Sequence, residues 1–144
     1  MGERRGLRGY VTSRGFGGYS IPVQVQSLVL RDYCQRSGML YVLPVNENIF
    51  PHSYMVLEGM IRDLSAYQGV VMCSMHMLPQ RPERRRKIYD TILSQGATLH
   101  LVLEGAVIAS EADIARLEDL LVMMSLSVQG GGALMSAMEP GRAE

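Results

Sequence analysis

The sequence predicts an α/β fold: one domain built on a parallel sheet of about four strands, in the order 2-1-3-4, with helices on both faces. Three observations carry this. Apolar runs of strand length alternate with segments of helical period from Leu7 to about Val122. The connections are short, so right-handed βαβ crossovers and a parallel sheet follow. The chain has 144 residues, 47% of them hydrophobic, enough for one domain with a substantial core.

Taken in order, Leu7 to Ser13 reads as a first strand that ends in the turn cluster Gly15-Phe16-Gly17-Gly18. Ser20 is positioned to cap a helix with Pro22 in its first turn, where the missing N–H costs nothing. That helix runs to about Ser37, with Val25, Leu28, Val29 and Tyr33 as its expected inner stripe, and Gly38 ends it. Met39 to Pro44 is a second strand, followed by a polar loop, Asn46-Glu47-Asn48. Ser53 caps the next helix, where Leu57, Met60, Ile61 and Leu64 follow the i, i+3, i+4, i+7 rule. Val70 to Met75 is a continuous apolar run, as in a strand buried on both sides. A third helix starts near Pro82, carries Ile88, Ile92 and Leu93, and closes at Gly96 before a fourth strand, Thr98 to Leu103. Ser110-Glu111-Ala112-Asp113 matches a capping box and opens a last helix with Ile114, Leu117 and Leu121 on one side. The boundaries expected are a flexible N-terminus over 1–6, the domain over 7–126, and a loosely ordered tail over 127–144 that contains Gly130-Gly131-Gly132.

Composition narrows the function classes. Lys+Arg and Asp+Glu both number 14, so the formal charge is zero, where a chain living on nucleic-acid phosphates usually carries a basic excess. Trp is absent and 11 Met help fill the core or a partner surface. Two cysteines, Cys34 and Cys73, make no disulfide framework or CxxC pair. No apolar run approaches the ~20 residues of a membrane span, and a cytoplasmic location without membrane contact is expected.

In a sheet of this kind, ligands bind beyond the carboxyl ends of the strands, where the strand order reverses. The sequence delivers Thr12, Ser13 and Arg14 there from strand one and Asn46, Glu47 and Asn48 from strand two. Strand three delivers Ser74 and His76, followed by Gln80 and Arg81, and strand four delivers Glu104. Ser13 is the candidate nucleophile or ligand contact, against a plain turn residue. His76 is the candidate general acid/base, against a satisfied rim imidazole. Arg14, Arg81 and Arg85 are candidates to steady an anion; a solvated face with ion pairs to Glu83 and Asp90 is the competing reading of the cluster from Arg81 to Lys87. Asn46, Glu47, Ser74 and Glu104 complete the expected substrate-binding set. His52 competes between capping and function, and His100 lies within a strand, where a packed role is favoured.

The Gly-rich turn before the first helix invites a phosphate-loop reading, but neither GxxxxGK[ST] nor GxGxxG spacing is present. No HExxH, Cys/His cluster or dense acidic loop marks a metal site, and no cofactor is expected.

Two resemblances bear on function. Over roughly residues 8 to 104, Ser13 at the end of strand one, the helix segment Gln24-Val25-Gln26-Ser27-Leu28 and the βαβ succession resemble the catalytic domain of serine recombinases (resolvases), a resolvase/flavodoxin-like fold. Ser13 falls where that family keeps its nucleophile. The family's arginine two residues earlier is replaced by Val11, and its later Asp-Arg-Leu-Gly-Arg segment by His76-Met77-Leu78-Pro79-Gln80. Its long dimer helix and DNA-binding domain have no room here, so strand exchange on nucleic acid ranks last.

The second resemblance rests on Arg8-Gly9-Tyr10-Val11-Thr12-Ser13-Arg14, Arg31-Asp32-Tyr33-Cys34, Ser53-Tyr54 with Leu57, and His100-Leu101-Val102-Leu103-Glu104. These are similar to the sporadic carbohydrate cluster family and imply a role in surface-carbohydrate biosynthesis. The expected function is therefore an enzyme acting on an activated or phosphorylated sugar, with a sugar or nucleotide-sugar ligand. A non-catalytic partner or regulatory subunit of that pathway is the alternative. A homodimer or higher homo-oligomer is expected, because Leu117, Leu120, Leu121, Val122, Met123 and Met124 give the last helix more apolar surface than one sheet face needs.

Overall fold

The strand predicted from Leu7 is β1 (Leu7–Thr12), and the elements that follow are α1 (Val23–Arg36), β2 (Tyr41–Glu47), α2 (Met55–Ile61), β3 (Gly69–Met72), α3 (Pro82–Ser94), β4 (Thr98–Leu101), β5 (Ala106–Ile108) and α4 (Glu111–Met138). The computed structural model describes residues 4–13, 15, 20–47 and 54–138. The chain divides into two units, Met1–Ser110 and Glu111–Glu144. The expected caps and turn at Ser53, His52 and Phe16 to Gly18 lie outside the described residues.

The first unit holds one sheet in the order β2-β1-β3-β4-β5. β1 pairs with β2 and β3, and β3 with β4, all in parallel. Right-handed crossovers then place α1 on one face and α2 and α3 on the other. The packing agrees: α1 lies against β1, β2 and β3, while α2 packs on β2 and α3, and α3 on β4. β3 is buried along its whole length, as expected of a central strand covered on both faces. Ahead of β1, Arg5 donates its N–H to the Ala66 carbonyl at 3.0 Å, and Gly6 donates to Gln68 Oε1 at 3.1 Å. These bonds tie part of the segment that the sequence leaves as a flexible lead.

Several details differ from the expectation: β3 ends at Met72 and β4 at Leu101, short of the expected Met75 and Leu103. The sheet has a fifth strand, β5, antiparallel to β4. Gly105, at φ 64°, reverses the chain in the left-handed region open to glycine, and the three residues of β5 are too few to show a period.

The second strand runs on to Glu47 instead of ending at Pro44. The pairs Arg8 with Val42 and Tyr10 with Val45 leave Leu43 and Pro44 together opposite Gly9. This bulge lets an edge strand absorb a proline that has no N–H to give. Gly9 leaves room for it: a Cβ there would crowd the Tyr41 ring at 3.0 Å and Pro44 at 3.1 Å.

Finally, α1 is rolled away from the expected stripe. It buries Gln26, Leu30 and Cys34, while Val25 and Leu28 are exposed. Pro22 occupies the N-cap and no side chain caps the helix, so Ser20 does not serve as expected. The roll has a polar cause, the partner that Gln26 finds on β1.

α4, the second unit, opens with Glu111 and Asp113 in its first turn, where carboxylates complement the helix dipole. Asp113 pairs with Arg116 one turn on. The helix continues beyond residue 126 through Gly130-Gly131-Gly132, each glycine costing about 1 kcal/mol relative to alanine. Among the described residues no helix is long and apolar enough to cross a membrane.

Candidate functional site

The pairing of β1 with β3 covers Leu7 to Gly9 against Gly69 to Val71, whereas β1 stays on β2 as far as Thr12, opposite Glu47. Past Gly9, therefore, β1 and β3 part. This is also where the chain leaves in opposite directions, β1 toward β2 and β3 toward β4, the usual place for a ligand crevice in an open α/β sheet.

Gln26 of α1 fills the gap. Its Oε1 accepts the Thr12 N–H at 3.1 Å, and its Nε2 donates to the Thr12 carbonyl at 2.7 Å and to the Ile21 carbonyl at 2.7 Å. The main-chain carbonyl of Gln26 accepts the Cys73 thiol at 3.9 Å. Gln26 is fully buried, so these bonds form where water cannot compete. The side-chain amide thus stands in for the peptide of a neighbouring strand. Ser13 follows directly, exposed, with its N–H donated to the Glu47 carbonyl at 3.3 Å. Thr12 Oγ1 donates to that same carbonyl at 2.5 Å.

Several expected ligand contacts are occupied by the protein's own backbone. Glu47 is buried; its carboxylate accepts the Tyr10 hydroxyl at 2.6 Å and the N–H groups of Val56 and Leu57 at 2.8 and 3.3 Å. It caps the start of α2, where a negative charge meets unpaired amides. Glu104 does the same after β3: it accepts the Ser74 hydroxyl at 2.8 Å and the Met75 N–H at 2.8 Å. Ser74 in turn accepts the His76 N–H at 3.2 Å and opens a single 3-10 turn, Met75–Met77. Arg85 is buried and donates to the carbonyls of Pro79 and Gln80 at 3.0 and 2.7 Å, pinning the loop between β3 and α3.

The remaining candidates divide by exposure. His76 is half-buried on the 3-10 turn, beyond the end of β3 and so beside the end of β1 in strand order. Arg81 is the exposed N-cap residue of α3. Asn46 is exposed on β2, with β1 between it and β3. Arg14 lies outside the described residues. In the rest of the basic cluster, Arg84 holds Glu58 through two nitrogens at 2.9 and 3.0 Å, and Arg86 meets Asp90 at 3.2 Å. The Arg84 guanidinium draws the Glu58 carboxyl below its usual range.

Burial governs the titrating groups under the rim. It pushes the Cys73 thiol up to about 11, with the Glu104 charge adding to the effect, so Cys73 is no nucleophile at neutral pH. Burial also raises Cys34 and lowers His100 to about 4. Both ring nitrogens of His100 are bonded, Nδ1 to the Tyr33 hydroxyl and Nε2 to Thr98, the packed role expected of it. Among the described residues no group of His, Cys, Asp and Glu is arranged to hold a metal ion.

Gln26 and Tyr10 are the members of this site that residue-by-residue reading misses. A signal for Gln26 exists: it is the polar member of a 26, 30, 34 stripe whose other positions, Leu30 and Cys34, are buried.

No protein-family model and no curated protein sequence matches the chain. Among solved structures, the N-terminal catalytic domain of TP901-1 integrase is similar, with a TM-score of 0.56 and 14% sequence identity over 85% of this chain and 97% of that one. At that identity the likeness is one of fold, and it supports the resolvase-like architecture. The expectation of a surface-carbohydrate enzyme is corrected by this finding: the fold matches an integrase catalytic domain, and the resemblance to the sporadic carbohydrate cluster family finds no support.

Proposed function

We propose that the domain acts on DNA as a serine-recombinase-like enzyme, with the Ser13 hydroxyl as nucleophile. The observation that carries this is the position of Ser13: exposed at the carboxyl end of β1, at the point where β1 and β3 separate, on a backbone held by Glu47 and by the Gln26 clasp on Thr12. The integrase domain of similar fold supports the same reading.

In the step proposed, Ser13 Oγ attacks a backbone phosphorus. A serine–phosphate ester bond forms, the bond from phosphorus to one sugar oxygen breaks, the serine proton leaves to a base, and the departing oxygen takes up a proton. His76, half-buried on the turn that follows β3, is the proposed partner for that transfer. Charge developing on the phosphoryl oxygens calls for a fixed cation. Val11 is buried where the recombinase pattern has its arginine, so that duty falls to Arg81 and Arg14.

Incubation with supercoiled plasmid and with randomised duplex DNA tests the reading. The expected result is a protein–DNA adduct that survives denaturant and disappears in Ser13→Ala. Absence of both adduct and nicking in the wild type would overturn it.

A second reading, a DNA-contacting domain of the same fold without catalysis, is favoured by one observation: buried Val11 stands where the recombinase pattern has its arginine. DNA binding that weakens steeply with salt but leaves no adduct would select this reading. We further propose a homodimer joined through the apolar surface of α4.

A further inference from the structure

We infer that Gln26 is a positioning residue: its amide holds the end of β1 apart from β3 and so keeps the crevice open at Ser13. This rests on the reading of Ser13 as the reactive group. Four contacts place Gln26 as a wedge. Three run through its side chain, to both polar atoms of the Thr12 peptide and to the Ile21 carbonyl. The fourth is the Cys73 thiol, from the end of β3, on its main-chain carbonyl.

The register explains the need. β1 and β3 are in phase from Leu7 with Gly69 to Gly9 with Val71. Continued without interruption, that register would set Val11 beside Cys73 and Thr12 beside Ser74, closing the sheet across the crevice. Gln26 instead supplies Thr12 with one donor and one acceptor, the pair that a β3 peptide would have offered. The demand of a buried backbone for partners is met and the strands stay parted.

A leucine at this position keeps the volume and removes the Gln26 bonds to the Thr12 N–H and carbonyl. Thr12 then either seeks β3 or frays, and in both cases Ser13 moves. A displacement of about 1 Å at a reacting group costs on the order of 10²-fold in rate.

The test compares wild type, Gln26→Leu and Gln26→Glu, the last keeping an acceptor for the Thr12 N–H while losing the two Nε2 donations. Amide hydrogen exchange at Thr12 and Ser13 is read by NMR, alongside the rate of Ser13 adduct formation and the affinity for the same randomised duplex. In Gln26→Leu, exchange at Thr12 is expected to rise at least tenfold more than at Val70 and Val71 of β3. The adduct rate should fall about 100-fold while DNA affinity stays within about twofold. Gln26→Glu should fall between the two.

Unchanged exchange at Thr12 overturns the inference. So does exchange that rises equally at Thr12 and β3, which marks loss of global stability alone. An adduct rate and affinity that fall together overturn it as well. If the wild type forms no adduct, the Ser13 reading fails, and the exchange comparison still decides whether Gln26 holds the strand end.

Discussion

Tyr33 of α1 and His100 of β4 are joined across the sheet face by a 2.7 Å hydrogen bond between the phenol and Nδ1, with their rings edge to face at 5.6 Å. Thr98 takes the other ring nitrogen at 2.8 Å. The imidazole is therefore fully engaged in a site that burial makes hostile to its cation, with a pKa lowered from 6.5 to about 4.

The consequence for stability has a definite sign. Below about pH 6.5 the unfolded chain binds a proton at this position that the folded chain refuses. The stabilising contribution is thus complete above 6.5, falls between 6.5 and 4, and levels off below 4. Between pH 7 and pH 5 the loss from this group should be about 2 kcal/mol. Urea melts at both pH values should show His100→Gln losing less stability than wild type over the same interval. Equal losses would show that His100 does not carry the dependence.

Glu47 should behave as a structural cap as much as a rim residue. Glu47→Ala strips a partner from the Tyr10 hydroxyl and from the Val56 and Leu57 amides. A cost of about 2–3 kcal/mol is expected from the loss of these three bonds. Denaturant titration measures it, and a change below about 0.5 kcal/mol would contradict the capping role.

Two serines of the rim should separate cleanly. Ser13 is exposed and its replacement by alanine should shift stability by no more than about 0.5 kcal/mol. Ser74 is buried between Glu104 and the His76 amide, and Ser74→Ala should cost about 1–2 kcal/mol. Thermal melts of the two variants side by side provide the comparison. The reverse ranking would mean that the hydrogen bonds of Ser74 contribute nothing net.

Both cysteines should be silent in the native state. Cys73, raised to about 11, carries roughly one thiolate in a thousand at pH 8, and both thiols are buried. Mass spectrometry after iodoacetamide treatment should find neither labelled in native protein and both labelled in urea. Rapid native labelling would mean that the layer between α1 and the sheet opens readily.

The proposed dimer predicts a scattering mass of twice the 16.0 kDa chain. Leu120→Glu with Met124→Glu should halve it, since both side chains are exposed in the single chain and a charge has no place in an apolar contact. A 16 kDa species in the wild type at micromolar concentration would count against the dimer.

The order of elements, the parallel sheet and the central place of Val70 to Met72 were legible in the sequence because each rests on a local signal. Residue period, turn chemistry and run length are properties of neighbours along the chain. So was the position of Ser13 at a strand end. What only the tertiary structure decided are pairings between residues far apart in sequence: Tyr10 with Glu47, Ser74 with Glu104, Tyr33 with His100. The roll of α1 belongs with them. By apolar period alone Val25 and Leu28 point inward, yet the helix turns them to solvent so that Gln26 can reach Thr12. A buried peptide without a partner costs more than two aliphatic side chains left partly in water. Hydrophobic pattern therefore decided which elements form, and the partner requirement of buried polar groups decided how they turn and which rim residues remain available.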